Sequence, residues 1–441
     1  MPMMPMMPVL ALNNVRTNRV GFAASFAAVL LAVVLVASSG VLVTSVDGDD
    51  ELNGVMSLLV LSAVVSGFVS VFVVAGTMSL HVLGQRRTWG LLRSVGMTPR
   101  QVRRLIVAEA LVVAVLAGVA GCVLAVPYAG GVAALLTGVG LAPAGVPLEV
   151  TWGPFILALA VGLVVTLTAA RIAARKAVKV TPLEVLREEA AQARTLPWSR
   201  MGVGAVALAA GVVLLCFTPR VPPTAALPAG FGATMALCVA ASALGPVALR
   251  GMGWLLGGAA VWLDPGPGEL ARASVVTQPR RAMSMASPVM LTVAFACTFL
   301  FAIATSDEAA GVTRTGVSAW AAPVVVGSAM AYTVISVLNS TAMSMAERAR
   351  EMRLLRSAGA TPAQLTRAVC WESLIVTCAG ALLGTGIAAA SLTALGLAAS
   401  GEARFVYSAP QHAGLVGVCA VSGLIGGLLF TRTARHGPLV F

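Results

Sequence analysis

The feature that most constrains the fold is a series of ten apolar runs, each at least 18 residues long. A helix needs about 20 apolar residues to cross the hydrocarbon core of a bilayer. The chain is also 58% hydrophobic and only 10% charged, unlike a water-soluble domain. We therefore predict an all-α polytopic membrane protein with ten transmembrane helices, at 20–46, 53–83, 105–128, 152–172, 201–218, 225–249, 283–305, 318–346, 368–398 and 411–431.

The basic residues predict the orientation of these helices. Because ten is an even number, both termini should lie on the same side of the membrane. Of the 29 Lys and Arg residues, 26 fall in the termini and loops of that side, and only Arg220, Arg314 and Arg404 fall on the other. Since cytoplasmic loops are enriched in Lys and Arg, both termini are predicted to be cytoplasmic.

The same distribution explains the net charge of +12 without nucleic acid. Arginines at helix ends contact anionic lipid head groups, so membrane lipids are the expected partner of this charge. The predicted outer loops are mildly acidic, which fits a solvated rim better than a ligand or cation site, although both interpretations stay open. The acidic residues concerned are Asp47, Asp49, Asp50, Glu51, Glu149, Asp307, Glu308 and Glu402.

An internal repeat is the most informative motif. Residues 85–109 align with residues 348–372 at a spacing of 263, and 11 of the 25 positions are identical. In each copy a basic helix is followed by a glycine, Gly96 or Gly359, that can end the helix in a left-handed turn. A Thr-Pro-x-Gln capping box then begins another helix. Two copies with the same cap chemistry favour a specific element over an ordinary basic connector between membrane helices.

The repeated pattern LLRSxGxTPxQ, between an apolar helix and a glycine-rich apolar helix, resembles the signature of the FtsX-like permease family. This family comprises membrane subunits of the MacB, LolC and BceB type of ABC transporter. The resemblance covers roughly residues 10–187 and 270–438. Together with the apolar runs it predicts a 4+2+4 arrangement of helices, with a first four-helix unit at 1–187, a second at 270–441 and a linker (188–269) with two transmembrane helices. The run 251–263 in this linker is too short to span the membrane, so we predict that it is an interfacial segment.

The resemblance also implies what the repeats do. They resemble coupling helices, which bind the moving ATPase, and two in one chain would match an ATPase dimer. The residues implied in ATPase coupling are Arg87, Leu91, Leu92, Arg93, Gly96, Thr98, Pro99 and Gln101 in the first copy, and Arg350, Leu354, Leu355, Arg356, Gly359, Thr361, Pro362 and Gln364 in the second.

The chain has no Walker A loop, no Ser-His-Asp pattern and no metal-ligand spacing, so we predict no enzyme active site and no cofactor in this chain. ATP and Mg²⁺ are expected on the partner ATPase. His81, at a helix end, is interpreted as a lipid-interface residue. One departure from the family stands out: the first outer loop, VDGDDELN, is very short where MacB and LolC proteins carry a large domain.

Glu109 and Glu372 are the only predicted intramembrane carboxylates. Buried charges in a bilayer are usually functional or paired, so each could relay the movement of its coupling helix through a basic partner such as Arg93 or Arg356. The alternative, which we favour, places each glutamate near a helix N-terminus, where the helix dipole stabilises a negative charge.

Two functions are consistent with these patterns. The first is an ABC permease in a bacterial plasma membrane that exports or extracts an amphiphile such as an antibiotic, peptide or lipid. The second is a signalling scaffold, in which ATP hydrolysis changes the helix arrangement and regulates a membrane or cell-surface partner. The sequence does not identify the substrate.

Overall fold

The computed structural model of the protein describes residues 19–46, 53–138, 149–179, 198–311, 334, 336–338, 341, 351–352 and 354–436. Within these residues the chain forms α-helices and one short 3-10 helix, with no strand, as the apolar runs predict. The chain divides into two compact units, Met1–Ala193 and Arg194–Phe441.

The first unit contains four long helices and one short one. The long helices are α1 (Arg19–Val46), α2 (Asn53–Gly84), α4 (Pro99–Gly138) and α5 (Trp152–Lys179), and α3 (Arg86–Ser94) is the short helix between α2 and α4. Helix α1 packs against α2, α4 and α5. It approaches α4 closely at Gly121, where an added Cβ would lie 3.0 Å from the carbonyl oxygen of Leu30.

The second unit contains six described helices and the 3-10 helix Thr218–Arg220. The helices are α6 (Trp198–Phe217), α7 (Pro223–Leu263), α8 (Pro265–Thr277), α9 (Pro279–Ala309), α10 (Pro362–Ser400) and α11 (Ala409–His436). Four of them begin with a proline, which lacks the N–H that the first helical position leaves unbonded and has a fixed φ suited to it.

Helix α9 forms the centre of the second unit and is buried along most of its length. It packs most extensively on α10, with a close approach at Gly384, where an added Cβ would lie 2.6 Å from the carbonyl oxygen of Met290. Helix α7 also packs on α10, and Thr234 Oγ1 donates a hydrogen bond of 2.8 Å to Ser391 Oγ. The two helices between the repeats therefore pack with the second repeat.

Eight described helices are long and apolar enough to cross a membrane: α1, α4, α5, α6, α7, α9, α10 and α11. Helix α2 has 32 residues, within which Ala63–Ser79 forms a shorter apolar stretch. The predicted span 318–346 lies almost wholly outside the described residues. These helices make the chain a multi-pass membrane protein. The count of ten transmembrane helices and their 4+2+4 order stay predictions.

Two predicted stretches are parts of longer helices. The capped helix of the first repeat and the predicted span at 105–128 both belong to the 40-residue helix α4. The segment 251–263 belongs to α7, which continues past Pro246 to Leu263. That this segment lies at the membrane interface stays a prediction.

Candidate functional site

The first repeat forms a tight turn between α3 and α4. Gly96 has a φ of +104°, in the left-handed region that favours glycine. Its N–H donates to the carbonyl of Arg93 (3.1 Å), and the N–H of Met97 donates to the carbonyl of Leu92 (3.0 Å). These two bonds form a Schellman motif, which satisfies the last carbonyls of α3.

The second repeat forms the same turn. Gly359 has a φ of +96°. Its N–H donates to the carbonyl of Arg356 (3.0 Å), and the N–H of Ala360 donates to the carbonyl of Leu355 (2.9 Å). The predicted left-handed glycines are therefore confirmed in both copies, with matching hydrogen bonds.

A capping box follows each turn. The N–H of Thr98 donates to Gln101 Oε1 (2.8 Å), and the N–H of Gln101 donates to Thr98 Oγ1 (3.4 Å). The corresponding distances for Thr361 and Gln364 are 2.9 and 3.3 Å. Pro99 and Pro362 occupy the first helical positions, so the predicted caps of α4 and α10 are confirmed.

The side chains of α3 divide into a buried and an exposed set. Trp89 is 2% exposed and packs in a cluster with Val82, Val102, Leu105, Ile106, Ala173 and Ala174, against which Leu92 and Met97 also pack. By contrast, Leu91 is 60% exposed and Val95, one turn later, is 87% exposed. Helix α3 is thus anchored by Trp89 and presents apolar side chains outward.

The second repeat shows the same division. Met352, which is 263 positions after Trp89, is buried, whereas Leu354, the counterpart of Leu91, is 62% exposed. Leu355 is half-buried like Leu92, and Arg356 is exposed, whereas Arg93 is half-buried. Arg350 and the side chain of Arg87 lie outside the described part of the chain.

Glu109 and Glu372 are buried, with 7% and 2% exposure. Each is ten residues beyond the proline that begins its helix, and neither helix has an acidic residue in its first turn. The stabilising effect of the helix dipole falls off within the first turn, so the interpretation that places these glutamates at helix N-termini is wrong.

The structure gives Glu372 partners that sequence reasoning missed. Its Oε1 accepts a hydrogen bond of 3.1 Å from Ser274 Oγ on α8 and lies 3.5 Å from Arg281 Nη2 on α9. The basic partner described for this glutamate is therefore Arg281, whereas the sequence analysis named Arg356. That Glu109 and Glu372 take part in coupling stays a prediction.

A third buried carboxylate, Asp264, also escaped the sequence analysis. It lies between α7 and α8, and its Oδ2 is 2.8 Å from Arg367 Nε and accepts a hydrogen bond of 3.2 Å from Trp371 Nε1. Arg367 is one of the 11 positions shared by the repeats, and an Asp just before Pro265 in an otherwise apolar run was the available signal.

The described residues contain no group of three or more His, Cys, Asp or Glu side chains that could hold a metal ion. His81 is buried in the first unit, and its Nε2 lies 3.1 Å from Gln85 Nε2. Its interpretation as a lipid-interface residue is therefore wrong.

Comparison with known families agrees with the repeated motif. The family model of the FtsX-like permease C-terminal domain matches the chain twice, over residues 60–182 and 323–439, and each match contains one of the two turns. Together the matches cover more than half of the chain. No curated protein matches the chain. The chain therefore belongs to the FtsX-like permease family, the members of which are membrane subunits of ABC transporters.

Proposed function

We propose that this chain is the permease subunit of an ABC transporter in a bacterial plasma membrane. It would couple ATP hydrolysis by a separate ATPase, which binds the ATP and Mg²⁺, to the export or extraction of an amphiphilic substrate. Family membership supports the transporter class, and the two turns described above support the coupling to an ATPase.

The observation that carries the proposal is the shared surface of the two motifs. In each, an exposed leucine (Leu91 or Leu354) lies one turn before the glycine turn, and a buried residue (Trp89 or Met352) lies two positions before that leucine. Exposed apolar patches mark protein–protein interaction sites, and in the first motif the exposed Val95 adds to the apolar surface of Leu91. Two such surfaces in one chain fit the two subunits of an ATPase dimer.

Binding of the ATPase can be tested with the substitutions Leu91→Asp and Leu354→Asp. Because both leucines are largely exposed, we expect normal expression and thermal stability, but at least tenfold lower recovery of the copurifying ABC-type ATPase. Val150→Asp is a matched control, since Val150 is 54% exposed in the short segment before α5. Equal ATPase recovery from all three variants would refute the proposed binding surfaces.

The short first outer loop in the sequence supports an amphiphilic substrate. A permease without a large outer domain would suit lateral access from the bilayer by an antibiotic, peptide or lipid. Vesicles containing the chain and its ATPase should move a fluorescent lipid analogue or a labelled amphiphilic peptide when ATP is added. ATP-dependent regulation of a copurifying membrane protein, without movement of either probe, would instead support the signalling function.

The orientation is a separate part of the proposal. The test replaces the seven native cysteines and places a single cysteine at Glu308 or at Ser357, both of which are exposed. The two cysteines should differ in their labelling by an impermeant maleimide. We expect the cysteine at 308 to react in intact cells and the cysteine at 357 to react only after lysis. The reverse pattern would show that both motifs face away from the ATPase.

A further inference from the structure

Helix α8 of the second unit is linked to the second motif at its beginning. Asp264 is the single residue between α7 and α8, and its side chain is only 8% exposed. Its Oδ2 contacts Arg367 Nε at 2.8 Å and Trp371 Nε1 at 3.2 Å. Both partners belong to the first three turns of α10, the helix that the Thr361 cap begins.

The same helix is linked to the motif in its last turn and at the residue that follows it. Ser274 Oγ on α8 donates to Glu372 Oε1 on α10 at 3.1 Å. Gln278, the single residue between α8 and α9, donates through Nε2 to Glu351 Oε1 at 3.0 Å. Glu351 is three residues before Leu354, so these contacts involve residues on both sides of the Gly359 turn.

Helix α8 is also connected to its neighbours without a flexible loop. One residue separates it from α7 and one from α9, and prolines begin both α8 and α9. Its buried side includes Ala271, Ser274 and Val275, and it packs on both α7 and α10. Helix α10 also packs directly on α7 and α9, so a displacement of α10 can reach these long helices both by direct contact and through α8.

The sequence of the first repeat lacks part of this chemistry. Arg104 and Glu109 correspond to Arg367 and Glu372, but the counterpart of Glu351 is Thr88 and the counterpart of Trp371 is Ala108. The two motifs therefore share the turn, the cap, the arginine and the buried glutamate, while Glu351 and Trp371 belong to the second motif alone.

We propose that Asp264 is a positioning residue that makes α8 and α10 move together, so that ATPase binding at the second motif drives α7 and α9. This inference rests on the proposed function. Asp264 is the buried partner of this pair, since its side chain is 8% exposed and that of Arg367 is 60% exposed. Separating α8 from α10 would leave the buried carboxylate without its charged and hydrogen-bonded partners, which opposes that separation. The two motifs then have unequal roles, although their turns are alike.

The test uses the full chain with its copurifying ATPase in lipid vesicles. Asp264→Asn removes the charge and keeps an acceptor for Trp371. We expect ATPase recovery to stay within twofold of that of the unaltered chain. The ATP-hydrolysis rate of the complex should change at least fivefold, because movement of α10 on ATPase binding no longer moves α8. Glu269→Gln is the control, since it breaks the 3.7 Å contact of Glu269 with Arg272 within α8 and should change neither quantity.

Two further variants separate a positioning role from a general loss of stability. The double variant Asp264→Arg with Arg367→Asp exchanges the two charges. Its ATP-hydrolysis rate should return at least halfway to that of the unaltered chain. Arg367→Gln should alter the hydrolysis rate at least threefold more than Arg104→Gln, its counterpart in the first repeat.

Three results would each overturn the inference: unchanged hydrolysis with Asp264→Asn, no restoration by the charge exchange, or equal effects of the two arginine variants. If ATPase recovery is normal in those cases, the proposed function still stands. Failure of the unaltered chain to copurify with any ABC-type ATPase would overturn both.

Discussion

Alanine at Gly96 and at Gly359 tests whether the two turns set the position of the ATPase-binding helices. Both glycines have positive φ values, +104° and +96°, and an added Cβ meets no atom within 4 Å at either site. The cost of a side chain therefore comes from the backbone conformation and not from a clash. For an L-residue in the left-handed region this cost is about 1–2 kcal/mol.

A free energy of about 1–2 kcal/mol changes an equilibrium constant by roughly 5- to 30-fold. The variant chain must either adopt the strained φ or open the turn, which breaks the hydrogen bonds to Arg93 and Leu92. Both alternatives reduce the population in which the exposed leucine is correctly placed. The membrane helices, whose packing is much more extensive, should insert and fold as before.

We expect each single variant to raise the dissociation constant for the purified ATPase by about 5- to 30-fold, since binding must then restore the turn. The constant would be measured by titration of the ATPase against the chain in lipid nanodiscs. Gly401→Ala is the matched control, because Gly401 has a φ of +74°, an open Cβ position and a place at the opposite end of α10. It should lower the thermal stability by a similar amount and leave ATPase binding unchanged.

Unchanged binding by both Gly96→Ala and Gly359→Ala, with the expected loss of stability in Gly401→Ala, would refute this reasoning. The left-handed turns would then be a feature of folding alone. Equal loss of binding in all three variants would show that binding responds to general stability and not to the turns.

Three further predictions concern packing and charge. Gly90→Ala in α3 should stabilise the helix by about 0.5–1 kcal/mol and strengthen ATPase binding, because an added Cβ meets nothing within 4 Å. Weaker binding would show that α3 must bend when it binds the ATPase. Glu372→Gln should lower the free energy of unfolding by about 3 kcal/mol, because the buried charge of Arg281 loses its carboxylate partner. Thermal unfolding measures this, and an unchanged melting temperature would mean that the pair is not stabilising. Gly384→Ala should cost about 1–3 kcal/mol because its Cβ would overlap the backbone of α9. Gly386→Ala, with open space around it, should instead stabilise α10 by about 0.5–1 kcal/mol. Equal melting temperatures of the two variants would contradict the close approach of α9 and α10.

The local chemistry of the site could be predicted from sequence because it depends on residues close together in the chain. The left-handed glycines and both capping boxes need only Gly96, Thr98, Gln101 and their repeats, and all are confirmed. The apolar runs likewise predicted most of the long helices. A helix-length apolar run specifies its own secondary structure through internal hydrogen bonds.

The remaining features depend on residues far apart in sequence. Asp264 and Trp371 are 107 positions apart, and no local pattern relates them. The choice of Arg281 as the partner of Glu372 depends on how α9 packs on α10, which neither the repeat nor the charge pattern encodes. Helices α4 and α7 are longer than the predicted spans because bilayer thickness limits only the apolar part of a helix, and the helix can continue beyond the hydrocarbon core.

The close approach at Gly384 has a mechanical consequence for α10. With a rise of about 1.5 Å per residue, roughly 33 Å of helix lie between Pro362 and this contact, and roughly 24 Å lie between the contact and Ser400. The helix has no interior proline, and its close approaches to α9 at Gly380 and Gly384 both lie near its middle, so it can act as a stiff bar that pivots in this region. A sideways shift of about 3 Å at the Pro362 end would then move the Ser400 end by about 2 Å in the opposite direction. A push from one side of the membrane would arrive on the other side reversed in direction and slightly reduced in size.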